Sequence, residues 1–184
     1  MRVLVGCEVT GTVREAFARL GHDAWSCDIL PSEIEGNHVE DDILNIVGRG
    51  HWDLLIAHPP CTDLAVSGAR WFEKKGTRPE LALELVRQLM AAPIRRIAIE
   101  NPVSIISSRI RKPDQIIQPW EFGHGESKAT CLWLKNLPRL HPTNVVEACV
   151  PVVHMMSPSP TRAAERARTY QGIADAMAAQ WGRL

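Results

Sequence analysis

The chain has 184 residues, and its 21 basic side chains balance its 21 acidic ones. This length fits one domain, and a hydrophobic content of 45% is enough to build a core. Zero net charge excludes a global basic field for nucleic acid, so any such contact has to come from a local patch. No apolar run is long enough to span a bilayer, and we expect no membrane partner.

The cysteines and histidines indicate neither a disulfide framework nor a metal site. The five cysteines form no Cys-x-x-Cys pair, and the sequence shows no secretory leader, so we expect a reduced cytoplasmic protein. The seven histidines do not combine with cysteines at the spacing of zinc ligands.

Apolar runs predict strands over residues 2–6, 24–27, 53–57, 96–99 and 130–134. Helical spacing of Val13, Ala16 and Phe17 predicts a helix over 12–20, which Gly21 ends. Leu81, Leu85 and Leu89 predict a helix over 79–90, and a third helix is predicted over 169–181. Strands that alternate with helices predict an α/β fold with a mostly parallel sheet flanked by crossover helices. Five prolines predict an irregular segment over 137–168.

Polar residues follow several predicted strands at the edge where open parallel sheets bind ligands. The strand-to-helix turn at residues 6–11 offers amide groups that suit a carboxylate or phosphate. Asp28 is placed to take ribose hydroxyls, and Asp42 can accept from an adenine amino group. An adenosyl compound with an amino-acid tail would use all three places. The alternative is that Asp28 and Asp42 simply cap turns.

Taken together, these segments resemble the DNA cytosine-5 methyltransferase family. The matching segments are residues 6–12, Asp28-Ile29, Asp41-Asp42-Ile43, the loop 58–68 around Pro60-Cys61, Glu100-Asn101-Pro102 and residues 122–130. The resemblance covers about residues 2–135, with a faint match in the C-terminal helix. Thr62 stands in place of the usual Gln, and Glu126, Lys128 and Thr130 replace a Gln and two Arg. The proline-rich segment stands where the family has a large target-recognition domain.

The resemblance implies a Rossmann-like S-adenosylmethionine-dependent methyltransferase fold in one catalytic domain over 1–184. The implied function is methyl transfer to carbon 5 of cytosine in DNA, with low or unusual sequence specificity. The implied catalytic residues are Cys61, Glu100, Asn101 and Lys128. The implied cofactor residues are Glu8, Val9, Thr10, Gly11, Asp28, Ile29, Asp42 and Pro60. The implied DNA contacts are Ser67, Arg70, Lys74, Lys75 and Thr130, and no metal is implied. A small free-standing modification enzyme also suits a phage or another mobile element.

The implied chemistry begins with the thiolate of Cys61, which adds to carbon 6 of the ring so that carbon 5 can attack a methyl group. Cys61 then needs a lowered pKa, and Glu100 has to be buried and protonated to serve ring nitrogen 3. Asn101 would orient the loop, and Lys128 would bind the carbonyl oxygen of the base or stabilise Glu100. The alternatives are a small buried Cys61 and a solvated Lys128.

Nucleic-acid contact has three candidate clusters of basic residues. The loop after Cys61 interleaves basic with aromatic residues over 70–78, and the other clusters are Arg109, Arg111 and Lys112, and Arg162, Arg166 and Arg168. Each cluster is also compatible with a solvated face. Two rival functions remain at this point: an enzyme acting on free pyrimidine nucleotides, and a binding protein that keeps the fold without turnover.

Overall fold

The structure is a computed structural model, and it describes residues 1–66, 73–147 and 166–184. Seven strands in these ranges form one sheet in the order β3-β2-β1-β4-β5-β7-β6. The strands are β1 (Arg2–Gly6), β2 (Asp23–Asp28), β3 (His38–Glu40), β4 (Leu54–Ala57), β5 (Arg96–Pro102), β6 (Gln115–Ile117) and β7 (Thr130–Lys135). The three-residue strands β3 and β6 were not predicted, because so short a run carries no readable alternation.

Strand direction confirms the predicted mostly parallel sheet. The strands from β3 to β5 pair in parallel, whereas β7 runs antiparallel to both β5 and β6. An antiparallel partner needs no crossover helix, and the chain between β6 and β7 contains only a single 3-10 turn, Pro119–Glu121. As a result, Thr130 at the start of β7 lies opposite Pro102 at the end of β5. The amino end of β7 therefore meets the carboxyl ends of the parallel strands.

Helices cover both faces of the sheet. They are α1 (Thr12–Ala18), α2 (Ile43–Val47), α3 (Arg78–Ala91), α4 (Ile106–Arg109) and α5 (Gln171–Trp181). Alternate residues of β1 enter two separate cores, since successive strand side chains point to opposite faces. Val3 and Val5 pack in the cluster that holds α1 and α5, and Leu4 packs in the cluster that holds α2 and α3.

Helix α3 forms where it was predicted but presents a different face to the sheet. Its buried residues are Leu83, Val86 and Leu89, whereas Leu81 is 66% exposed. The leucines at 81, 83, 85 and 89 satisfy helical spacing in more than one way, and packing against the sheet selects among them.

Helix α5 packs on the same side of the sheet as α1, and its residues Ile173, Ala176, Met177 and Trp181 lie in the core there. Gly172 lets it approach the loop after β6, because a Cβ atom there would lie 1.9 Å from the carbonyl oxygen of Phe122. None of the helices in the described ranges is long and apolar enough to traverse a bilayer.

The predicted irregular segment is described only in part. Residues 137–147 contain no helix or strand beyond an isolated bridge between Asn144 and Phe122, and residues 148–165 lie outside the described residues. Cys149 is among the latter. The extent of the catalytic domain and the role of this segment stay predictions.

Candidate active site

Cys61 lies in a loop at the end of β4 and is half-buried, so its thiol is not part of the core. It begins a one-turn 3-10 helix, Cys61–Asp63, and its carbonyl accepts from the amides of Leu64 and Ala65. Pro60, just before it, is exposed. The fixed φ of the two preceding prolines keeps the strand from continuing and turns the chain into this loop. Cys27 and Cys131, in contrast, are buried, and Cys7 is half-buried.

The tip of β5 carries Glu100 and Asn101 beside this loop. The Nδ1 atom of His58 donates to Oε2 of Glu100 at 2.9 Å, and the two side chains are only 9% and 13% exposed. Asn101 is buried, and its Nδ2 donates to the carbonyl of Pro59 at 2.8 Å. Asn101 thus ties the tip of β5 to the residues that precede Cys61, which fits its predicted role of orienting the loop.

The ionisation of Glu100 differs from the expectation. Burial opposes its charge, but the hydrogen bond and charge of His58, with the charge of Lys128, outweigh burial and lower the pKa of Glu100. Burial likewise opposes the charge of His58, yet the hydrogen bond and charge of Glu100 raise the pKa of His58. The hydrogen bond between the two side chains therefore favours a charged carboxylate on Glu100, whereas the sequence led us to expect a protonated one.

The thiol of Cys61 also departs from the expectation of a lowered pKa. Burial and the negative charge of Glu100 raise the pKa of Cys61, and the positive charges of Lys128 and Arg166 offset this only in part. The thiol is therefore protonated while Glu100 is ionised. Neutralising Glu100 would remove one of the two causes that raise the pKa of Cys61.

Lys128 links the site to the C-terminal part of the chain and is not a solvated lysine. Its Nζ donates to the carbonyls of Arg166 at 2.8 Å and Arg168 at 3.3 Å, and it lies 5.5 Å from the ring centre of Tyr170. Thr130 is 3% exposed, and its hydroxyl donates to the carbonyl of Lys128 at 3.0 Å. The predicted DNA contact by Thr130 is not supported, because that hydroxyl is turned inward.

Glu8 has a different place from the predicted one. It is 5% exposed, and its carboxylate oxygens accept from the amides of Val13 at 2.7 Å and Arg14 at 3.2 Å. The first turn of α1 is therefore capped by the protein's own carboxylate, which occupies the amides expected to bind a ligand. Gly11, with φ of +67°, allows the reversal between Glu8 and the helix.

The rest of this turn faces the segment after β2. The carbonyl of Val9 accepts from the amide of Glu33 at 2.8 Å, and the hydroxyl of Thr12 donates to that of Thr10 at 3.1 Å. The predicted cofactor roles of Val9 and Thr10 stay predictions.

Asp28 and Asp42 lie near each other around Cys7. Burial and the charges of Asp28, Cys27 and Asp42 raise the pKa of Cys7 to about 12. One oxygen of each carboxylate caps a turn, with Asp28 accepting from the amide of Leu30 at 3.0 Å and Asp42 from that of Leu44 at 2.9 Å. Both aspartates therefore cap turns, as the alternative predicted. Each cap uses only one of the two oxygens of the carboxylate.

Ile29, directly after Asp28, is 72% exposed. An adenosyl group needs a flat apolar contact and acceptors for its hydroxyl and amino groups. The exposed side chain of Ile29 and the second carboxylate oxygens of Asp28 and Asp42 fit these needs. The residues present therefore fit the cofactor predicted from the sequence. The described residues include no group of three or more side chains that could hold a metal ion.

Sequence reasoning missed Arg14, which is fully buried in the first turn of α1. Its guanidinium donates to the hydroxyls of Ser26 and Ser32 at 3.0 and 3.3 Å and to the carbonyl of Glu35 at 2.7 Å. Arg14 thereby holds the segment after β2, including the part that carries Ile29, against α1. An arginine on a predicted helix gives no sequence signal of such burial. His58 was also missed, although its place beside the Pro-Pro-Cys sequence could have drawn attention to it.

The predicted DNA contacts are described only in part. Ser67 and Arg70 lie outside the described residues, as does Arg162. Lys74 is exposed, whereas the Nζ of Lys75 lies 3.1 Å from Asp63 and also donates to the carbonyl of Thr62. Arg78 pairs with the other oxygen of Asp63 at 3.1 Å. Asp63 therefore joins the two described ends of this loop and neutralises two of its cations.

Comparison with solved structures relates the fold to methyltransferases. A structure from E. coli, described as a "putative DNA modification methyltransferase" encoded within a prophage, matches with a TM-score of 0.54 and 15% identity. The match covers 86% of this chain and 55% of that one, so the chain spans little more than half of that protein's length. At an identity this low the structural match shows the fold alone, which is that of a Rossmann-like methyltransferase. No described protein family and no curated protein sequence matches the chain.

Proposed function

We propose that this chain transfers a methyl group from S-adenosylmethionine to carbon 5 of cytosine in DNA, through a covalent adduct on Cys61. The observation that carries the proposal is the accessible thiol of Cys61 beside the buried Glu100 at neighbouring strand tips. Methylation of an exocyclic amino group has no use for a thiol, because the amino nitrogen attacks the methyl group itself. A thiol beside an acid suits an acceptor carbon that must first be activated.

Cys61 and Glu100 divide the activation of the ring between them. Cys61 gives up its thiol proton to water, and its sulfur bonds to carbon 6. The π electrons of the 5–6 bond then move to the 4–5 bond, and nitrogen 3 gains an electron pair that needs a proton. Glu100, which is ionised beside His58, has to gain a proton before it can supply one to nitrogen 3. Asn101 holds the two loops in register through its bond to Pro59, and Lys128 provides a positive charge that favours the thiolate.

S-adenosylmethionine supplies an electrophilic methyl group when it is bound. Ile29 would contact the adenine ring, Asp28 would accept from the ribose hydroxyls, and Asp42 would accept from the adenine amino group. Glu8 contributes indirectly, because it caps the helix that supports this turn. A cytosine within a duplex has to be flipped out of the stack at a cost of a few kcal/mol.

The decisive experiment incubates the purified protein with labelled S-adenosylmethionine and DNA and identifies the modified nucleoside by mass spectrometry. We expect 5-methylcytosine with the natural chain and none with Cys61→Ala. N4-methylcytosine or N6-methyladenine would refute the proposed chemistry, and retained transfer by Cys61→Ala would refute the adduct. An oligonucleotide carrying 5-fluorocytosine should trap the protein, and peptide mapping should locate the bond on Cys61 rather than on another cysteine.

A free pyrimidine nucleotide is a second candidate acceptor. It is favoured by the pairing of Lys75 and Arg78 with Asp63, which leaves less positive charge for a phosphate backbone. Methyl transfer should be measured separately to deoxycytidine monophosphate and to DNA, at equal concentrations of cytosine. The faster reaction identifies the acceptor. Absence of transfer to either, with normal cofactor binding and no trapping, would instead indicate a binding protein without turnover.

A further inference from the structure

His58 and Glu100 form a buried pair whose partners are 42 residues apart in the chain. The side chain of His58 is only 9% exposed, and its Nδ1 lies 2.9 Å from Oε2 of Glu100. Its other nitrogen, Nε2, is buried and makes no hydrogen bond within the described parts of the chain. A buried nitrogen without a partner is costly, so packing alone does not account for a histidine here.

Charged groups from three elements act on this imidazole. Glu100 comes from β5, Glu8 from the turn after β1, and Lys128 from the turn before β7. Burial lowers the pKa of His58 and Lys128 lowers it further, but the bond to Glu100 and the charges of Glu100 and Glu8 raise it above its ordinary value. The two carboxylates thus favour the protonated imidazole beside Glu100, the carboxylate that has to pass a proton to the ring.

We propose that His58 stores the proton that Glu100 delivers to the pyrimidine ring, an inference that rests on the function proposed above. As the Cys61 sulfur bonds to carbon 6, nitrogen 3 takes a proton from Glu100, and Glu100 takes the Nδ1 proton of His58. The imidazolium becomes neutral imidazole, and Glu100 stays ionised before and after the transfer. When the 5–6 double bond forms again and the sulfur leaves, the proton returns along the same path. The proton from carbon 5 passes to water.

His58 is a positioning residue in this scheme, because it reaches the ring only through Glu100. Its contribution is to set the pH range over which the pair holds a proton. An imidazole has an ordinary pKa about two units above that of a carboxyl group. A pair that keeps its proton on His58 therefore remains loaded at a pH where an isolated Glu100 would have lost its proton.

The test compares the natural chain with His58→Asn over a range from about pH 5 to about pH 9. The asparagine amide can still donate to Glu100 from near the position of Nδ1, but it does not titrate. We expect the alkaline limb of the kcat profile to move to lower pH by at least about one unit, with KM for the acceptor little changed. His51→Asn is the matched control, since His51 also pairs with a carboxylate, Asp53 at 3.0 Å, but its side chain is 85% exposed. A His58→Asn profile that superposes on the natural one would overturn the inference, as would a uniform loss at every pH.

A second measurement separates this inference from the function on which it rests. Titration of the His58 imidazole by NMR should show its pKa falling in Glu100→Gln, because the hydrogen bond and charge that raise it are weakened or lost. An unchanged pKa would refute the proton store, whatever the enzyme methylates. Failure of the 5-fluorocytosine oligonucleotide to trap Cys61, with the His58 pKa behaving as expected, would refute the proposed function and leave the coupled pair intact.

Discussion

Replacing Arg14 with methionine tests how a buried arginine supports the packing of the segment after β2 against α1. The guanidinium has four partners, and the loss of each has a different cost. Glu15 is 35% exposed in its side chain and can be solvated by water, and Ser26 keeps its hydrogen bond of 2.8 Å with His38. The carbonyl of Glu35 and the hydroxyl of Ser32 lose a charged donor at 2.7 and 3.3 Å.

A hydrogen bond to a charged group contributes about 1.5–3 kcal/mol, and Arg14→Met removes two such bonds whose acceptors do not recover, those of Glu35 and Ser32. We therefore expect Arg14→Met to lower the free energy of unfolding by about 3 kcal/mol, which corresponds to a fall in Tm of roughly 6–12 °C for a chain of this size. Urea denaturation followed by circular dichroism measures the first quantity, and a thermal scan measures the second.

Arg87→Met provides the matched control. Arg87 also bonds to two carboxylates, those of Glu80 at 2.9 Å and Glu84 at 3.3 Å, but its side chain is 39% exposed on α3. Exposed ion pairs contribute little because water and salt screen them. If the two variants lost equal free energy of unfolding, burial would not explain the contribution of Arg14 to stability. Calorimetry with S-adenosylmethionine should also show weaker binding in Arg14→Met alone, since the segment carrying Ile29 loses its anchor.

Three further predictions concern the core, the thiol and the loop. Trp181→Ala should lower the free energy of unfolding by about 3–5 kcal/mol in urea, because the indole is fully buried and donates to the carbonyl of Pro138 at 3.0 Å; a loss under about 1 kcal/mol would contradict its place in the core. Glu100→Gln should lower the pKa of Cys61, since removing a negative charge favours the thiolate, so iodoacetamide should alkylate Cys61 faster at neutral pH; slower alkylation would contradict the charge coupling. Asp63→Asn should strengthen DNA binding and steepen its dependence on salt by releasing two cations, and an unchanged slope would argue against phosphate contact by this loop.

The amino-acid sequence by itself determined the class of fold and the position along the chain of the groups proposed to react. Apolar runs and helical spacing predict the five longer strands and the three longer helices, because burial on one face leaves a periodic trace in the sequence. Glu100 and Asp28 could be located in the same way because each directly follows a predicted strand, and Cys61 because it lies in the loop after one. That position depends only on local chain direction and on the rule that parallel strands end at one edge.

Only the tertiary structure decided the state of those groups, because each state depends on a partner distant in sequence. Glu100 is ionised because His58 lies beside it, although 42 residues separate them in the chain. Lys128 reaches the site because β7 runs antiparallel, which brings the start of that strand to the edge where the other strands end. Glu8 caps α1, and the buried face of α3 is not the one its leucines first suggest. Local spacing limits where a side chain can point, whereas its charge and its contacts are set by whatever the fold packs against it.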